Sequence, residues 1–322
     1  MNAPRWKAGP AGLRMKNAVA DFPKRELEHE GIICARLGQD RDKPSSFSYS
    51  DGRISVAAHV RKGRARSQCQ DAAMVFIAGS HVYLGVFDGF GPSGTVLSEY
   101  TADSLITSLA SKEKPHSLFE YVVRRVCDST SPGAPLDRGG TTAAFASISL
   151  ENDGCSIQGV ADAAAYRLRR DGNMARLMPG YQLNCEGFPI AGMQPEFHFQ
   201  NRNIVSGTIS YGCEAKLKFN CDGALIDPGD GVILVTDGVT KNLSVSIDPA
   251  TRMISENSGC RDLSRILKGC STASGIVSAI LKAIDKRLDF KEQNGKPPKA
   301  GKNEALEPDG DDVAIVAFIR GA

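Results

Sequence analysis

Residues 82–89 read Val-Tyr-Leu-Gly-Val-Phe-Asp-Gly, a mostly apolar run that leads into Asp88 and Gly89. A second run, Val-Ile-Leu-Val-Thr at 232–236, leads into Asp237 in the same way, and Asp311 and Asp312 come directly before a third, Val-Ala-Ile-Val at 313–316. Short apolar runs of this kind are typical of buried strands. Carboxylates collected at the edge of a packed sheet provide the oxygen ligands that hard cations prefer. The sequence therefore predicts a metal enzyme built on buried sheet.

The Asp-Gly pair is by itself a weak signal, because the chain contains eight such pairs and most of them are expected to be ordinary turns. Asp88 and Asp237 differ from the others in position. Each directly follows five or six mostly apolar residues. Each carboxylate is therefore predicted to lie at the mouth of a buried strand and not at the tip of a hairpin.

The overall composition favours one large globular domain. With 322 residues and 41% hydrophobic residues, the chain can bury a substantial core. The formal net charge of +2 is too small for the strongly basic face that binds nucleic acid, so no nucleic-acid partner is predicted.

The cysteine pattern and the hydropathy pattern indicate an intracellular protein, cytoplasmic or nuclear. The nine cysteines are odd in number and scattered, without a Cys-x-x-Cys pair. No apolar stretch approaches the roughly 20 residues that span a bilayer, so no membrane partner is predicted. A monomer is expected.

The texture of the sequence changes near residue 53. Residues 1–52 are polar, with scattered charge, proline and glycine, and are predicted to form a partly ordered N-terminal extension. Residues 53–322 are predicted to form the catalytic domain. Within it, the stretch from Asp289 to Gly310 is rich in Lys, Pro, Gly and Glu, and is expected to be a surface loop.

The domain alternates predicted strands and helices. Turn signals separate the strands, and Asp171-Gly172 is placed as a hairpin turn. Strands are predicted at Ile54 to Val60, Ala73 to Ile77, Val82 to Phe87, Ala143 to Leu150, Ser156 to Val160, Ala165 to Leu168, Val232 to Thr236 and Val313 to Ile319. Apolar residues at three- and four-residue spacings predict helices around 96–109, 118–126 and 276–288. This order favours an α+β fold of two stacked antiparallel sheets with helices outside.

A guanidinium and a further carboxylate lie just upstream of Asp88, at Arg66 and Asp71. An arginine beside a metal cluster can hold a phosphate through two parallel hydrogen bonds. The alternative is that Arg66 belongs to a solvated basic face, because Arg61, Lys62 and Arg64 precede it.

Taken together, these motifs resemble the metal-dependent protein phosphatases of type 2C, over roughly residues 53–320. The family pattern has an Arg five residues before an Asp, an Asp-Gly-His-Gly element, a Gly-Ser/Thr-Thr-Ala strand, a Val-Gly-Asp-Ser-Arg-Ala-Tyr element, a Ser/Thr-Asp-Gly element and a final Asp-Asn/Asp pair. The corresponding residues here, in the same order, are Arg66 with Asp71, residues 88–91, residues 140–143, residues 160–166, residues 236–238 and residues 311–314.

The resemblance implies a four-layer α/β/β/α sandwich that hydrolyses phosphoserine and phosphothreonine in proteins with a metal-activated water. It implies two Mg²⁺ or Mn²⁺ ions, with a weak third. Asp88 would bridge the two ions, with the Gly89 carbonyl on one of them and Asp237 and Asp311 on the other. Asp71 would act through bound water, Asp162 would serve the third ion, and Arg66 would bind the substrate phosphate.

The chain departs from the family pattern at three places. Phe90 replaces a histidine thought to protonate the leaving oxygen, and a phenyl ring cannot donate a proton. Gln70 replaces a second acid beside Asp71, and an Asp-Ala-Ala sequence at 162–164 replaces Asp-Ser-Arg. These departures leave two alternatives open: a pseudophosphatase that acts as a binding or regulatory scaffold, and a metal hydrolase of small-molecule phosphoesters.

Overall fold

The structure is a computed structural model and describes residues 32–38, 43–111, 118–129, 139–178, 208–210, 224–243, 246–247, 254–255, 257–295, 299–300, 303–305 and 310–321. These residues form sixteen strands and five helices. The strands are β1 (Ile32–Leu37), β2 (Ser45–Ser50), β3 (Ile54–Arg61), β4 (Ala72–Ala78), β5 (His81–Phe90), β6 (Gly140–Ser149), β7 (Gly154–Val160), β8 (Ala164–Leu168), β9 (Met174–Met178), β10 (Ala224–Leu225), β11 (Gly231–Val235), β12 (Ser246–Ile247), β13 (Ile254–Ser255), β14 (Lys299–Ala300), β15 (Asn303–Ala305) and β16 (Val313–Arg320). The helices are α1 (Gly94–Ala110), α2 (Leu118–Ser129), α3 (Asp237–Leu243), α4 (Asn257–Leu267) and α5 (Ala273–Asn294).

Two sheets of six strands make up the centre of the molecule. The first sheet has the order β1-β4-β5-β6-β7-β10, and the second has the order β2-β3-β16-β11-β8-β9. A smaller sheet has the order β13-β12-β15-β14. All the described strand pairs are antiparallel, as the sequence predicts.

The core is divided into three apolar layers. The central layer joins the inward faces of the two sheets, with Val75 and Leu84 from the first sheet and Val316 and Phe318 from the second. An outer layer lies between the first sheet and helices α1 and α2. The other outer layer lies between the second sheet and the helices α3, α4 and α5. The predicted four-layer α/β/β/α sandwich is therefore confirmed.

The strand residues show why both sheets are covered on their two faces. The burial pattern of β16 is continuous from Val313 to Ile319, and β11 is buried throughout. Strands that are buried on both faces read as unbroken apolar runs, whereas a half-exposed strand alternates. At the edge of the second sheet, β2 alternates between partly buried and exposed residues, as a strand with one solvated face does.

The boundaries of the domain differ from the sequence-based expectation in two places. Strands β1 and β2 fall within residues 1–52 and pair with β4 and β3, so the sheets begin at Ile32 and not at Arg53. Residues 1–31 lie outside the described part of the chain. At the other end, α5 continues to Asn294 and stops at Gly295, which has a left-handed φ of 65°. The first six residues of the expected loop from Asp289 to Gly310 are therefore helical.

Among the helices that the structure describes, none is both long enough and apolar enough to cross a membrane.

The layer between the sheets predicts a large cost for removing a central side chain. Phe318 is 0% exposed, and we expect Phe318→Ala to lower the free energy of unfolding by about 3–5 kcal/mol through lost burial and a residual cavity. Phe290 on α5 is 40% exposed and provides the matched control. Phe290→Ala is expected to change stability by less than about 1 kcal/mol. Urea unfolding of both variants measures the difference, and equal losses would contradict this account of the core.

Candidate metal centre

The strand order collects the predicted acids at one edge of the sandwich. In an antiparallel sheet, the end of one strand lies beside the beginning of its neighbour. Asp71 precedes β4, Asp88 lies near the end of β5, and Asp162 follows β7 in the first sheet. In the second sheet, Asp237 follows β11 and Asp311 precedes β16. The same ends of the two stacked sheets meet, so five side chains from distant parts of the sequence converge.

Three of these acids form a compact group. Ligand oxygens of Asp88, Asp162 and Asp237 all lie within 4.8 Å of one another. Asp162 and Asp237 are buried, and Asp88 keeps part of its surface exposed. Ala161, just before Asp162, has a φ of 62°, an uncommon conformation for a residue with a side chain, and the chain turns sharply there. Three carboxylate oxygens at this spacing suit a hard divalent cation.

Asp71 is held by a hydrogen bond between the sheets. The Thr236 hydroxyl donates to Asp71 Oδ2 at 2.7 Å, and the Ala314 N–H donates to the same hydroxyl oxygen at 2.9 Å. Asp71 and Thr236 are both buried. The hydroxyl thus joins the start of β4 in the first sheet to β11 and β16 in the second.

Asp311 pairs with two cationic side chains. Its Oδ1 accepts hydrogen bonds from Arg66 Nε at 2.6 Å and lies 2.5 Å from Arg66 Nη2. Its Oδ2 lies 3.2 Å from Lys241 Nζ, which in turn lies 2.5 Å from Asp237 Oδ2. Lys241 therefore bridges Asp237 and Asp311, the two acids that the family resemblance assigns to one ion.

Asp312 has a structural part in the centre. Its two carboxylate oxygens accept hydrogen bonds from the backbone N–H groups of Gly63, at 2.8 Å, and Gln70, at 2.7 Å. These bonds fasten the segment that carries Arg66 to the start of β16. The position of Arg66 beside Asp311 follows from this attachment.

Two glycines allow the backbones to approach closely around the acids. A Cβ atom at Gly238 would lie 1.8 Å from the Asp312 carbonyl oxygen, and one at Gly89 would lie 2.4 Å from the Gly94 carbonyl oxygen. No side chain fits at such distances. The glycine of both Asp-Gly pairs is therefore required by packing, independently of any ligand role.

Two of the three substituted positions, Gln70 and Phe90, lie at the same turn. Gln70 turns its amide towards the Gly91 carbonyl, to which Nε2 donates at 2.6 Å. Phe90 ends β5 and is 38% exposed, and its ring covers Gly140, where a Cβ atom would lie 2.6 Å from the ring. Gln70 therefore braces the turn that follows Phe90.

The crowding of carboxylates changes their proton affinities. Burial and then the neighbouring charge of Asp312 raise the pKa of Asp71 well above its ordinary value, against the hydrogen bond from Thr236. Burial and the charges of Asp237, Asp71 and Asp162 raise the pKa of Asp88 in the same direction. A positive charge at the centre of the group would relieve this repulsion.

Asp311 behaves in the opposite way because cations surround it. Burial by itself raises its pKa, but the charges of Lys241 and Arg66 lower it below the ordinary value. For Lys241, burial lowers the pKa of the ammonium group, but the carboxylates of Asp237 and Asp311 raise it above its ordinary value. Lys241 is therefore a charged ammonium within the centre.

The predicted residues meet at one edge of the sandwich, in two neighbouring groups. Asp162, expected at a weak third ion, lies with Asp88 and Asp237, and Asp311 lies with Arg66 and Lys241. Lys241 was missed by the sequence analysis. The available signal was its place four residues after Asp237, which puts both side chains on the same face of α3.

The donor set fits one hard cation and fits a second one less well. Asp88, Asp162 and Asp237 offer carboxylate oxygens only, as Mg²⁺ and Mn²⁺ prefer. The space between Asp237 and Asp311, in contrast, holds the Lys241 ammonium.

Comparison with known proteins supports the fold and not a specific sequence family. No protein-family model matches the chain, and no curated protein is similar to it in sequence. Solved structures are similar. The PPM Ser-Thr phosphatase MsPP from Mycobacterium smegmatis, in complex with cacodylate, has a TM-score of 0.55 and 19% identity over 83% of this chain and 98% of its own.

Two further phosphatases agree. The S. agalactiae serine/threonine phosphatase has a TM-score of 0.57 and 16% identity, over 83% of this chain and 99% of its own. The catalytic domain of the serine threonine protein phosphatase PstP, in complex with 2 manganese ions, has a TM-score of 0.54 and 15% identity, over 83% and 97%. The type 2C phosphatase fold that the motifs predict is therefore confirmed for this chain.

The bridge through Thr236 predicts a measurable loss of stability. Thr236→Val removes the partner of the Asp71 carboxyl group and of the Ala314 N–H, and should lower the free energy of unfolding by about 1–3 kcal/mol. Thr236→Ser keeps the hydroxyl and should recover most of the loss. Urea unfolding in the presence of a chelator measures both variants without a contribution from bound metal. If valine and serine proved equally stable, the bridge would be unimportant.

Proposed function

We propose that this protein is a divalent-cation-dependent hydrolase of phosphoserine and phosphothreonine esters in proteins. The observation that carries the proposal is the compact group of Asp88, Asp162 and Asp237, at the junction of two sheets whose fold is shared with serine/threonine phosphatases. Phosphorylated proteins are the proposed substrates, and Mg²⁺ or Mn²⁺ is the proposed cofactor.

The residues that would hold the cation are the three carboxylates, with the Gly89 carbonyl and Asp71 beside them. A divalent cation there would supply Lewis acidity towards a phosphoryl oxygen and a more acidic water. The protein supplies a rigid frame, because each acid leaves the end of a paired strand and Asp71 is fixed by Thr236. A frame of this kind holds like charges at a spacing that they would not adopt alone.

Arg66 is the proposed phosphate-binding residue. Its side chain is 46% exposed, and its guanidinium group is anchored on one side by Asp311. A guanidinium has five N–H donors in a planar fork, a geometry that matches the oxygens of a phosphate group. Asp311 thereby orients Arg66, so Asp311 is a positioning residue in the proposed reaction.

The absence of a proton donor at Phe90 is expected to affect phosphoesters differently, according to their leaving groups. An alkoxide from serine or threonine is a poor leaving group that needs a proton, whereas a nitrophenolate is stable without one. Phe90 provides no proton donor at the end of β5. We therefore expect aryl phosphates to be hydrolysed more readily than phosphoserine peptides.

A pseudophosphatase is the second candidate, and two observations favour it. Phe90 stands where the family resemblance places a proton donor, and Lys241 bridges Asp237 and Asp311. A protein with these features could retain the sandwich and a phosphate-binding arginine without turnover. Metal binding without hydrolysis of any phosphoester would select this candidate.

Asp88→Asn should abolish metal binding and metal-stimulated hydrolysis together. The change removes one of three charges from the carboxylate group, and an amide oxygen is a weaker ligand than a carboxylate. Calorimetric titration with Mn²⁺ and an aryl phosphatase assay on the same preparation measure both effects. Asp237→Asn should behave in the same way.

The matched control is Asp171→Asn in the exposed turn between β8 and β9, which should alter neither measurement. Hydrolysis by the wild type that was unaffected by Mn²⁺ or by a chelator would contradict the proposed function.

Phe90→His should raise the rate of hydrolysis of a phosphoserine peptide by roughly tenfold or more. The same change should alter the rate on an aryl phosphate by less than about threefold. The two substrates differ because general acid catalysis matters most for poor leaving groups. The partial exposure of the ring leaves room for an imidazole. Steady-state kinetics on the two substrates give the ratio.

Phe290→His is the control for this experiment, because Phe290 is exposed to a similar extent on α5 and lies outside the metal centre. The same proportional change on both substrates, or no change on either, would count against leaving-group protonation at position 90.

A further inference from the structure

The most unusual group in the centre is the ammonium of Lys241. It lies 2.5 Å from Asp237 Oδ2 and 3.2 Å from Asp311 Oδ2, and the whole residue is 6% exposed. Lysine is rarely buried unless it is paired. Here its partners are two of the acids for which a divalent cation would compete.

The helix that carries Lys241 holds it in place. All seven residues of α3 are buried. The Asn242 side chain donates to the Gly238 carbonyl at 2.6 Å, and the Asn242 carbonyl accepts a hydrogen bond from Arg287 on α5. Because Asp237 and Lys241 are four residues apart on this anchored helix, their side chains face each other by construction. Lys241 is therefore presented to the two acids by a buried helix that is hydrogen-bonded to α5.

The oxygens of Asp311 are already used. Oδ1 accepts from Arg66 Nε and from the Asp312 N–H, at 2.6 and 2.9 Å, and it also lies beside Arg66 Nη2. Oδ2 faces Lys241. Each carboxylate oxygen has two lone pairs, so Oδ1 has no lone pair left for a metal ion. An ion on Oδ2 would have to displace or closely approach a like-charged ammonium group.

The charges of Lys241 and Arg66 explain how these side chains can replace a divalent ion beside Asp237 and Asp311. Lys241 and Arg66 each carry one positive charge, and together they bring to Asp237 and Asp311 the same total charge as one divalent cation. Both cations belong to the chain, so no ion has to be bound to offset the repulsion between these two acids.

We propose that Lys241, assisted by Arg66, takes the place of one of the two divalent ions that the type 2C resemblance implies, so that this protein binds a single divalent ion at Asp88, Asp162 and Asp237. The inference deepens the proposed function and rests on it, because it concerns the same metal centre. It distinguishes this chain from the PstP catalytic domain, whose crystals contain two manganese ions.

The number of bound ions tests the inference without any measurement of activity. The wild-type protein, stripped of metal with a chelator, is titrated with Mn²⁺ by calorimetry and by electron paramagnetic resonance. We expect one ion per chain and the spectrum of an isolated ion. Two ions about 3.5–4 Å apart would instead give an exchange-coupled spectrum. Two ions per wild-type chain would overturn the inference and leave the proposed function standing.

Lys241→Gln removes the charge and opens the second position. This variant should bind a second Mn²⁺ at least roughly tenfold more tightly than the wild type does, because Asp237 and Asp311 then lack their ammonium partner. It should also gain more thermal stability from Mn²⁺ than the wild type. Lys282→Gln, on the exposed face of α5, is the matched control and should behave like the wild type.

A variant of Asp311 keeps the test decisive if Lys241→Gln does not fold. Under the inference, Asp311→Asn still binds one Mn²⁺, because Asp311 is not a ligand. If the centre holds two ions, the same change should reduce the number from two to one. Failure of both the wild type and Lys241→Gln to bind any Mn²⁺ would overturn the inference together with the metal dependence of the proposed function.

Discussion

Repulsion between carboxylates is the constraint on which the rest of the centre depends. Six buried or partly buried aspartates meet at one edge of the sandwich: Asp71, Asp88, Asp162, Asp237, Asp311 and Asp312. Desolvated like charges at such spacing destabilise a fold unless donors or cations offset them. The protein offsets them in three ways: a hydroxyl bridge to Asp71, backbone N–H groups on Asp312, and the cationic side chains on Asp311. The group that contains Asp88 is the one in which a divalent cation would have the largest effect.

The sandwich makes this arrangement rigid. Each acid is placed within two residues of a paired strand, and the layer between the sheets is filled by fully buried side chains such as Leu84 and Phe318. Close packing transmits any displacement of a strand end, so the spacing of the carboxylates is set by the core and not by the acids themselves. Gly89 and Gly238 permit backbone approaches that no other residue allows. The geometry of the centre therefore depends on the packing of the core.

The proposed chemistry separates into two tasks that different residues govern. Binding of a cation and a phosphate depends on the carboxylate group and Arg66, which are all present. Protonation of the leaving group depends on position 90, where Phe90 covers Gly140 and no proton is available. In the proposed single-ion centre, Lys241 supplies a positive charge beside Asp237 and Asp311 in place of a second ion.

The sequence by itself determined eight of the sixteen described strands and the acids at their ends, because apolar runs and turn residues are local signals of structure. Asp88 and Asp237 were recognisable for that reason. It did not determine which acids meet. The grouping of Asp162 with Asp88 and Asp237, the turn of the Gln70 amide towards Gly91, the pairing of β1 and β2 in the sheets and the bridge made by Lys241 were decided by strand order and register. These are contacts between residues far apart in the chain, except for the Asp237–Lys241 pair, whose meaning also depends on the distant Asp311. Only the folded sheets bring such partners within the few ångströms over which charges and hydrogen bonds select one arrangement.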